Sequence, residues 1–282
     1  MTRKGVWNLQ QTRDKYLQSL WANDINLYGW GYNANGTLGN NTRDTTYPGY
    51  SSPIQIGTNT NWRSLDYKTS SGTSYFMVAS KTDGTLWSWG LNGYGQLGQN
   101  GNELSTIRIS SPTQIGSGTD WSNEISRGDV FTSGIKTDGT LWMWGQNQHA
   151  GLGQNNRTSY SSPVQVPGTN WTKAYAASGF TAAIKTNGEL WMWGYNSSGQ
   201  LGQNETSPSF GGYSSPVQIP GTTWSKAHVG NKHTLAIKTD GTLWAWGDGS
   251  AGPLGQNQPN TADYSSPVQI PGTTWSDCWA GS

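Results

Sequence analysis

Apolar and polar residues alternate in short runs along this chain, and tight-turn residues punctuate the runs at regular intervals. In the clearest stretch Thr234-Leu235-Ala236-Ile237-Lys238 alternates, Thr239-Asp240-Gly241 turns the chain, and Thr242-Leu243-Trp244-Ala245-Trp246 alternates again. Period-two runs on either side of Asp-Gly predict a β-hairpin. The equivalent turns are Asp83-Gly84, Asp138-Gly139 and Asn187-Gly188. Exchange of Asp for Asn marks a position that needs a short polar side chain tolerant of left-handed backbone. It argues against a catalytic carboxylate, whose chemistry an amide does not share.

The second half of each hairpin carries Trp-x-Trp-Gly or its variant: Tyr28-Gly29-Trp30-Gly31, Trp87-Ser88-Trp89-Gly90, Trp142-Met143-Trp144-Gly145, Trp191-Met192-Trp193-Gly194 and Trp244-Ala245-Trp246-Gly247. Steps of 59, 55, 49 and 53 residues separate the second tryptophans. A period near 50 signals blades or coils, each unable to bury its apolar face without neighbours. Trp30, Trp89, Trp144, Trp193 and Trp246 repeat while residues around them vary, so all five are expected in the core between blades.

A loop of fixed length follows each Trp-Gly and ends in Leu-Gly-x-Asn, at Asn41, Asn100, Asn155, Asn204 and Asn257. Fixed length with fixed Gly and Asn predicts a structural loop tucked against the next blade. Ser-Ser-Pro then opens a short strand at Pro53, Pro112, Pro163, Pro216 and Pro267, and a Trp at 62, 121, 171, 224 or 275 begins the strand leading into the next hairpin. Length varies mainly between Leu-Gly-x-Asn and Ser-Ser-Pro, and after Trp62, where Lys68–Ser74 is inserted. Insertions in repeat proteins collect on exposed faces that carry binding or simply tolerate drift.

Four strands per radially repeated unit is the β-propeller plan. The expected fold is therefore all-β: about five four-stranded blades over residues 17–282, closed by both termini, behind a short arm of residues 1–16. Trp275-Ser276-Asp277-Cys278-Trp279-Ala280-Gly281 matches Trp224–Gly230, and Leu17–Ala22 can supply the strand before Leu27–Trp30. Both ends are thus expected in one sheet, with no open edge.

Composition narrows the function. Charged residues are 12% of the chain and the net charge is +1, without the basic field of a nucleic-acid binder. No run of about 18 apolar residues predicts a membrane span, and the start lacks the apolar stretch of an export signal. Cys278 is the single cysteine, so no intrachain disulfide forms; it is read as buried beside Trp279. Gly93-Tyr94-Gly95-Gln96-Leu97-Gly98 has the spacing of a dinucleotide fingerprint, but it lies in a structural loop with no helix pattern behind it. His149, His228 and His233 lack zinc-site spacing. No metal, no cofactor and no enzyme activity are expected.

With Trp-x-Trp-Gly, Leu-Gly and Ser-Pro-x-Gln in this order, residues 21–282 resemble the tandem repeats of the regulator of chromosome condensation family. Better-known members have seven blades, and the five units here depart from that. Residues 1–16 carry Arg3, Lys4, Arg13 and Lys15 against Asp14, and are read as a short helix from about Leu9 or as extended chain. Gly5-Val6-Trp7-Asn8-Leu9-Gln10 followed by Arg13-Asp14 resembles the start of virion proteins of marine tailed phages, especially cyanophages. That resemblance implies a non-enzymatic virion component, a capsid decoration, head fibre or tail-associated fibre made in the host cytoplasm. Gly5, Val6, Trp7, Leu9 and Arg13 would dock the arm on other virion proteins, in multiple copies per particle.

Two further classes stay open. A carbohydrate-binding adhesin would stack host surface polysaccharide on Tyr94, Tyr195 and Phe210. A propeller scaffold or exchange factor would bind a protein partner, as the eukaryotic relatives of the resemblance imply.

Overall fold

A computed structural model describes residues 25–43, 49–65, 75–101, 108–207, 211–250, 252–257 and 263–281. All regular structure in them is β. The first sheet pairs β1 (Tyr28–Gly31) with β2 (Tyr50–Gln55). Four antiparallel four-stranded sheets follow, each in simple meander order. The second holds β3 (Trp62–Leu65), β4 (Phe76–Lys81), β5 (Leu86–Leu91) and β6 (Arg108–Gln114). The third holds β7 (Trp121–Arg127), β8 (Phe131–Lys136), β9 (Leu141–Gly145) and β10 (Tyr160–Gln165). The fourth holds β11 (Trp171–Ala176), β12 (Phe180–Lys185), β13 (Leu190–Tyr195) and β14 (Gly212–Ile219). The fifth holds β15 (Trp224–Val229), β16 (His233–Lys238), β17 (Leu243–Gly247) and β18 (Tyr264–Ile270).

Successive sheets touch through their first two strands, so β3, β7, β11 and β15 stand innermost and the Ser-Ser-Pro strands outermost. The prolines lie inside these outer strands rather than at their start. The ladder shifts register beside them, for example between Met192 and Gly194 opposite β14. An edge strand with a bulge tolerates the missing N–H.

The middle of each hairpin explains the turn residues. Asp138 Oδ1 accepts from Thr140 N at 2.9 Å and Thr140 Oγ1 at 2.7 Å, and Asp240 does the same with Thr242 at 3.0 and 2.7 Å. Asn187 Oδ1 accepts from Glu189 N at 3.2 Å, which shows why the amide serves equally. The glycine that follows has φ near +78°, at Gly84, Gly139 and Gly241.

Trp89, Trp144, Trp193 and Trp246 are fully buried. Each packs on the tryptophan that opens its own sheet, with ring centroids 5.9 Å apart for Trp62–Trp89 and Trp121–Trp144 and 6.1 Å for Trp171–Trp193 and Trp224–Trp246. Each indole Nε1 also donates to the loop of the preceding sheet: to Thr37 O at 2.9 Å, Gln96 O at 3.0 Å, Gly151 O at 2.8 Å and Gln200 O at 2.9 Å. One side chain thus fills its own sheet and ties it to the sheet before.

Trp30 departs from the expected core: it is 64% exposed, and among the described residues no strand pairs with β1 on the side away from β2. Gly31 carries the same lesson: a Cβ at Gly90, Gly145, Gly194 or Gly247 would strike the hairpin strand beside it, whereas one at Gly31 meets nothing within 4 Å. The strand expected there, Leu17–Ala22, lies outside the described residues, as does the whole arm of residues 1–16. Residues 275–281 run beside β15 without joining a ladder, with Ala280 N bonded to His228 Nδ1 at 3.1 Å. Among the described residues Leu27–Trp30 and Trp275–Trp279 do not share a sheet. Cys278 is half-buried, and Trp279 is exposed rather than packed over it.

Replacing Trp193 by Ala removes a buried ring, a ring–ring contact and an inter-sheet hydrogen bond, and is expected to cost about 3–5 kcal/mol, measured by chemical denaturation. Acid stability should follow the turn aspartates. Hydrogen bonds from Thr140 and Thr242 hold the Asp138 and Asp240 carboxyls below their ordinary range. The stability they contribute is present above the unfolded carboxylate value and is lost as pH falls through the lower folded value. Asp138→Asn with Asp240→Asn should leave the melting temperature at pH 7 nearly unchanged and flatten its decline in acid; an unaltered acid limb would contradict this.

Candidate functional site

Register alone sorts the loops onto two faces. In the fourth sheet Ala176 pairs with Thr181, Phe180 with Gly194, and Tyr195 with Gly212. The turn after the first strand and the long loop between the third and fourth strands therefore emerge at the same end. The opposite end carries the uniform Asp-Gly turns and the Pro-Gly-Thr links. Both classes of length variation in the sequence, the Lys68–Ser74 insertion and the segments before Ser-Ser-Pro, belong to connections on the first end.

The base of this loop face is built by four asparagines that the motif analysis did not single out. Asn33, Asn92, Asn147 and Asn196 are buried, and each Oδ1 accepts the N–H of the loop leucine five residues on, at 2.9 to 3.0 Å. Such bonds pin the loop root while the stretch beyond it varies. Tyr213 OH donates to Glu205 Oε1 at 2.6 Å, bracing the longest loop of the fourth sheet.

Aromatic side chains stand out on this face. Tyr32, Tyr75 and Tyr94 are 52%, 44% and 46% exposed. Tyr195 is half-buried and tilts over His149, ring centroids 5.0 Å apart. Tyr94 and Tyr195 lie on different sheets, and Phe210 lies outside the described residues, so the three expected sugar-stacking rings are not seen as one platform. A cavity of about 220 Å³ opens between the third and fourth sheets, lined by Asp129, Gln146, Gln148, His149 and Ser178. Burial, with Arg157 adding to it, holds the His149 imidazole below its ordinary value, so it is neutral at pH 7.

A second concentration of polar groups lines the axis, where innermost strands converge. Lys173 Nζ donates to Ser225 O at 2.7 Å and Lys226 Nζ to Ser276 O at 2.6 Å, each bridging to the next strand around the axis. Asp277 faces Lys226 at 3.4 Å. With Glu124, Tyr175 and Trp279 these groups border a cavity of about 300 Å³. Burial drives the Tyr175 hydroxyl far above its ordinary value and pushes the Cys278 thiol up to about 11. A thiol so shifted is a poor nucleophile. Among the described residues no three His, Cys, Asp or Glu side chains are grouped to hold a metal ion. No described helix is long and apolar enough to cross a membrane. This axial cluster was missed because its positions change residue type from one repeat to the next.

Comparison with known proteins agrees with the geometry. Residues 83–133, 138–184 and 187–237 match the Regulator of chromosome condensation (RCC1) repeat, and residues 68–96 and 228–252 match a second description of it. The chain is 27% identical over 248 residues to the Ultraviolet-B receptor UVR8 of Arabidopsis thaliana, covering 87% of this chain and 54% of the receptor. It is also 27% identical over 235 residues to the E3 ubiquitin-protein ligase HERC2 of Mus musculus, covering 83% of this chain and 4% of the ligase. It therefore spans about half of one relative and a small fraction of the other. Prp20p of Saccharomyces cerevisiae superposes with a TM-score of 0.70 at 17% identity, over 88% of this chain and 59% of that one. Human WBSCR16 superposes with a TM-score of 0.61 at 16% identity, over 87% and 78%. These structural likenesses show the fold, a β-propeller, and the repeats matched over more than half of the sequence place the chain in the RCC1 repeat family.

Proposed function

We propose that the protein is a non-enzymatic recognition scaffold that holds a macromolecular partner on its loop face. The observation that carries this is segregation. Length variation and the exposed Tyr32, Tyr75 and Tyr94 lie at one end of the sheets, over asparagine-braced roots, while the other end carries the recurring Asp-Gly or Asn-Gly turn. A rigid frame with variable loops is the arrangement in which recognition is separated from folding. Relatives of the same fold support a protein partner: Prp20p is described as binding Gsp1p and histones. The net charge of +1 favours a protein or glycan over nucleic acid.

The reading of a phage virion component rests on a separate observation, the Gly5–Gln10 and Arg13-Asp14 motif of the arm. In that reading Trp7, Leu9 and Arg13 supply apolar area and charge to a particle surface, and the propeller is displayed outward for host attachment. Polysaccharide would then be the partner of Tyr94 and its neighbours.

Tyr32→Ala with Tyr94→Ala should weaken capture of the partner at least tenfold without a change in melting temperature, whereas Asn59→Ala and Thr119→Ala on the opposite face should leave it intact. Equal loss from both pairs would refute face-specific recognition. For the arm, removal of residues 1–16 should leave a folded propeller that no longer enters particles. Normal occupancy of the truncated protein would move attachment to the propeller itself.

A further inference from the structure

Junctions between neighbouring sheets are assembled from recurring residues. The loop after Trp-Gly closes on the next sheet through its last asparagine, as Asn100 N donates to Ser161 O at 2.8 Å and Asn155 N to Ser214 O at 2.7 Å. In the loops of the second and fourth sheets Gln96 and Gln200 are buried, and each Oε1 accepts an N–H of its own loop, from Tyr94 and Ser198, both at 2.8 Å. The loop of the third sheet keeps the asparagine clip and departs in the stretch before it. Gly151 stands where the glutamine does, and Ala150 takes φ +62° where Gly95, Gly199 and Gly252 stand in other units. A side chain in left-handed backbone costs energy that the frame does not require, since glycine serves elsewhere.

These departures converge on the cavity between the third and fourth sheets, which Gly151 lines together with Asp129, Gln146, Gln148, His149 and Ser178. Asp129 occupies the position of Ser74, Ser178 and Asn231, and His149 that of Tyr94, Ser198 and Ala251, so a carboxylate and an imidazole meet at none of these other junctions. Asp129 Oδ1 is buried and accepts no hydrogen bond from a described residue. Buried acceptors are normally satisfied, and one left over calls for a donor from outside the chain. The His149 ring lies against Gly179, where a Cβ would meet it at 3.0 to 3.1 Å, and Gln148 Nε2 is 3.1 Å from its Nε2. An amide nitrogen only donates, so the imidazole accepts there and is neutral.

We propose that this cavity is the subsite for one neutral pyranose unit of a glycan held on the loop face. Its occupant must offer donors to Asp129 and meet the mixed donors and acceptors of Gln146, Gln148 and Ser178 within a small space, which adjacent hydroxyls on one ring do. The Asp129 carboxylate repels an anion, and Arg157, near enough to act on His149, disfavours a cation. The volume of about 220 Å³ suits a single sugar ring, and Val130 and Phe131 in the wall give its C–H face an apolar surface. In a repeat protein the frame positions recur, so polar residues gathered at one junction and absent from the others are where selectivity for a ligand resides. This inference rests on the loop face being the recognition face and names the chemistry recognised there.

The test titrates the full chain with the methyl glycosides of glucose, galactose, mannose and N-acetylglucosamine, following the His149 ring signals by NMR, with butylammonium as a cationic probe. At least one glycoside should bind saturably with a Kd of about 1 mM, the scale for a ligand of this size. Asp129→Asn should weaken it at least about tenfold at unchanged melting temperature, because hydrogen bonds to a charged acceptor are lost. Gln148→Ala, farther from the sheet core, should weaken it as well and serves where Asp129→Asn does not fold. Tyr32→Ala with Tyr94→Ala should leave it unaltered. No saturable binding by any glycoside up to about 20 mM, far above that affinity, would overturn the proposal. So would equal binding by wild type and both cavity variants, and so would binding of butylammonium alone, lost in Asp129→Asn, which would give the cavity to a basic side chain of a protein partner. If no glycoside binds while partner capture still depends on Tyr32 and Tyr94, the subsite fails and the loop-face reading stands. If Asp129-dependent glycoside binding persists while capture is indifferent to the face, the subsite stands and that reading fails.

Discussion

The structure depends on an indole that is fully buried yet keeps its polar atom satisfied across a boundary. A tryptophan brings a large apolar area to a core, but its N–H must find an acceptor once water is gone. Here the acceptor is a loop carbonyl of the preceding sheet, for Trp89, Trp144, Trp193 and Trp246 alike. The glycine two residues beyond that carbonyl, Gly98, Gly153 or Gly202, lets the backbone lie against the ring, where any Cβ would meet it at 2.8 to 2.9 Å. Burial and inter-sheet attachment are therefore one event, and the fixed loop length follows from the need to deliver one carbonyl to one indole.

Lysines add a second layer to the same stack. Lys136, Lys185 and Lys238 each place Nζ within 5.3 Å of two tryptophan rings of their own sheet. Burial lowers the pKa of Lys81, the member in the second sheet, with Asp83 opposing. A cation over an indole face gains from the ring quadrupole while its stem covers apolar surface. The apolar interior is thereby sealed at the hairpin end by charge rather than by further hydrophobic residues, consistent with a chain only 32% hydrophobic.

Much of this frame was legible because it repeats. The Asp-Gly hairpins, the opening tryptophans at 62, 121, 171 and 224, and the loop clipped to its neighbour each recur in register, and recurrence separates structural need from accident. Three things were not legible. The serine partner of Asn100 lies 61 residues away, and spacing within one repeat does not reveal a bond to the next. Repetition marked Trp30 as core, but burial depends on a neighbour, and a motif records only its own half of a contact. The axial residues Lys173, Lys226 and Asp277 occupy a position held by Ser64 and Asn123 in the earlier repeats, so the signal that exposed the frame hid the axial cluster. The candidate recognition face was read from loop lengths, while its tyrosines gained meaning only when register put their loops at one end.

The prolines of the outer strands bear on how the protein behaves when crowded. Each complete sheet turns outward an edge, β6, β10, β14 or β18, that carries Pro112, Pro163, Pro216 or Pro267 beside a register shift. An unbroken edge is a template on which another molecule's strand can add. A proline at each rim interrupts the row of donors and bends the strand, so lateral β-sheet growth between neighbouring molecules finds no continuous ladder to extend. The rim can thus stand close to its like at high local density without seeding fibres.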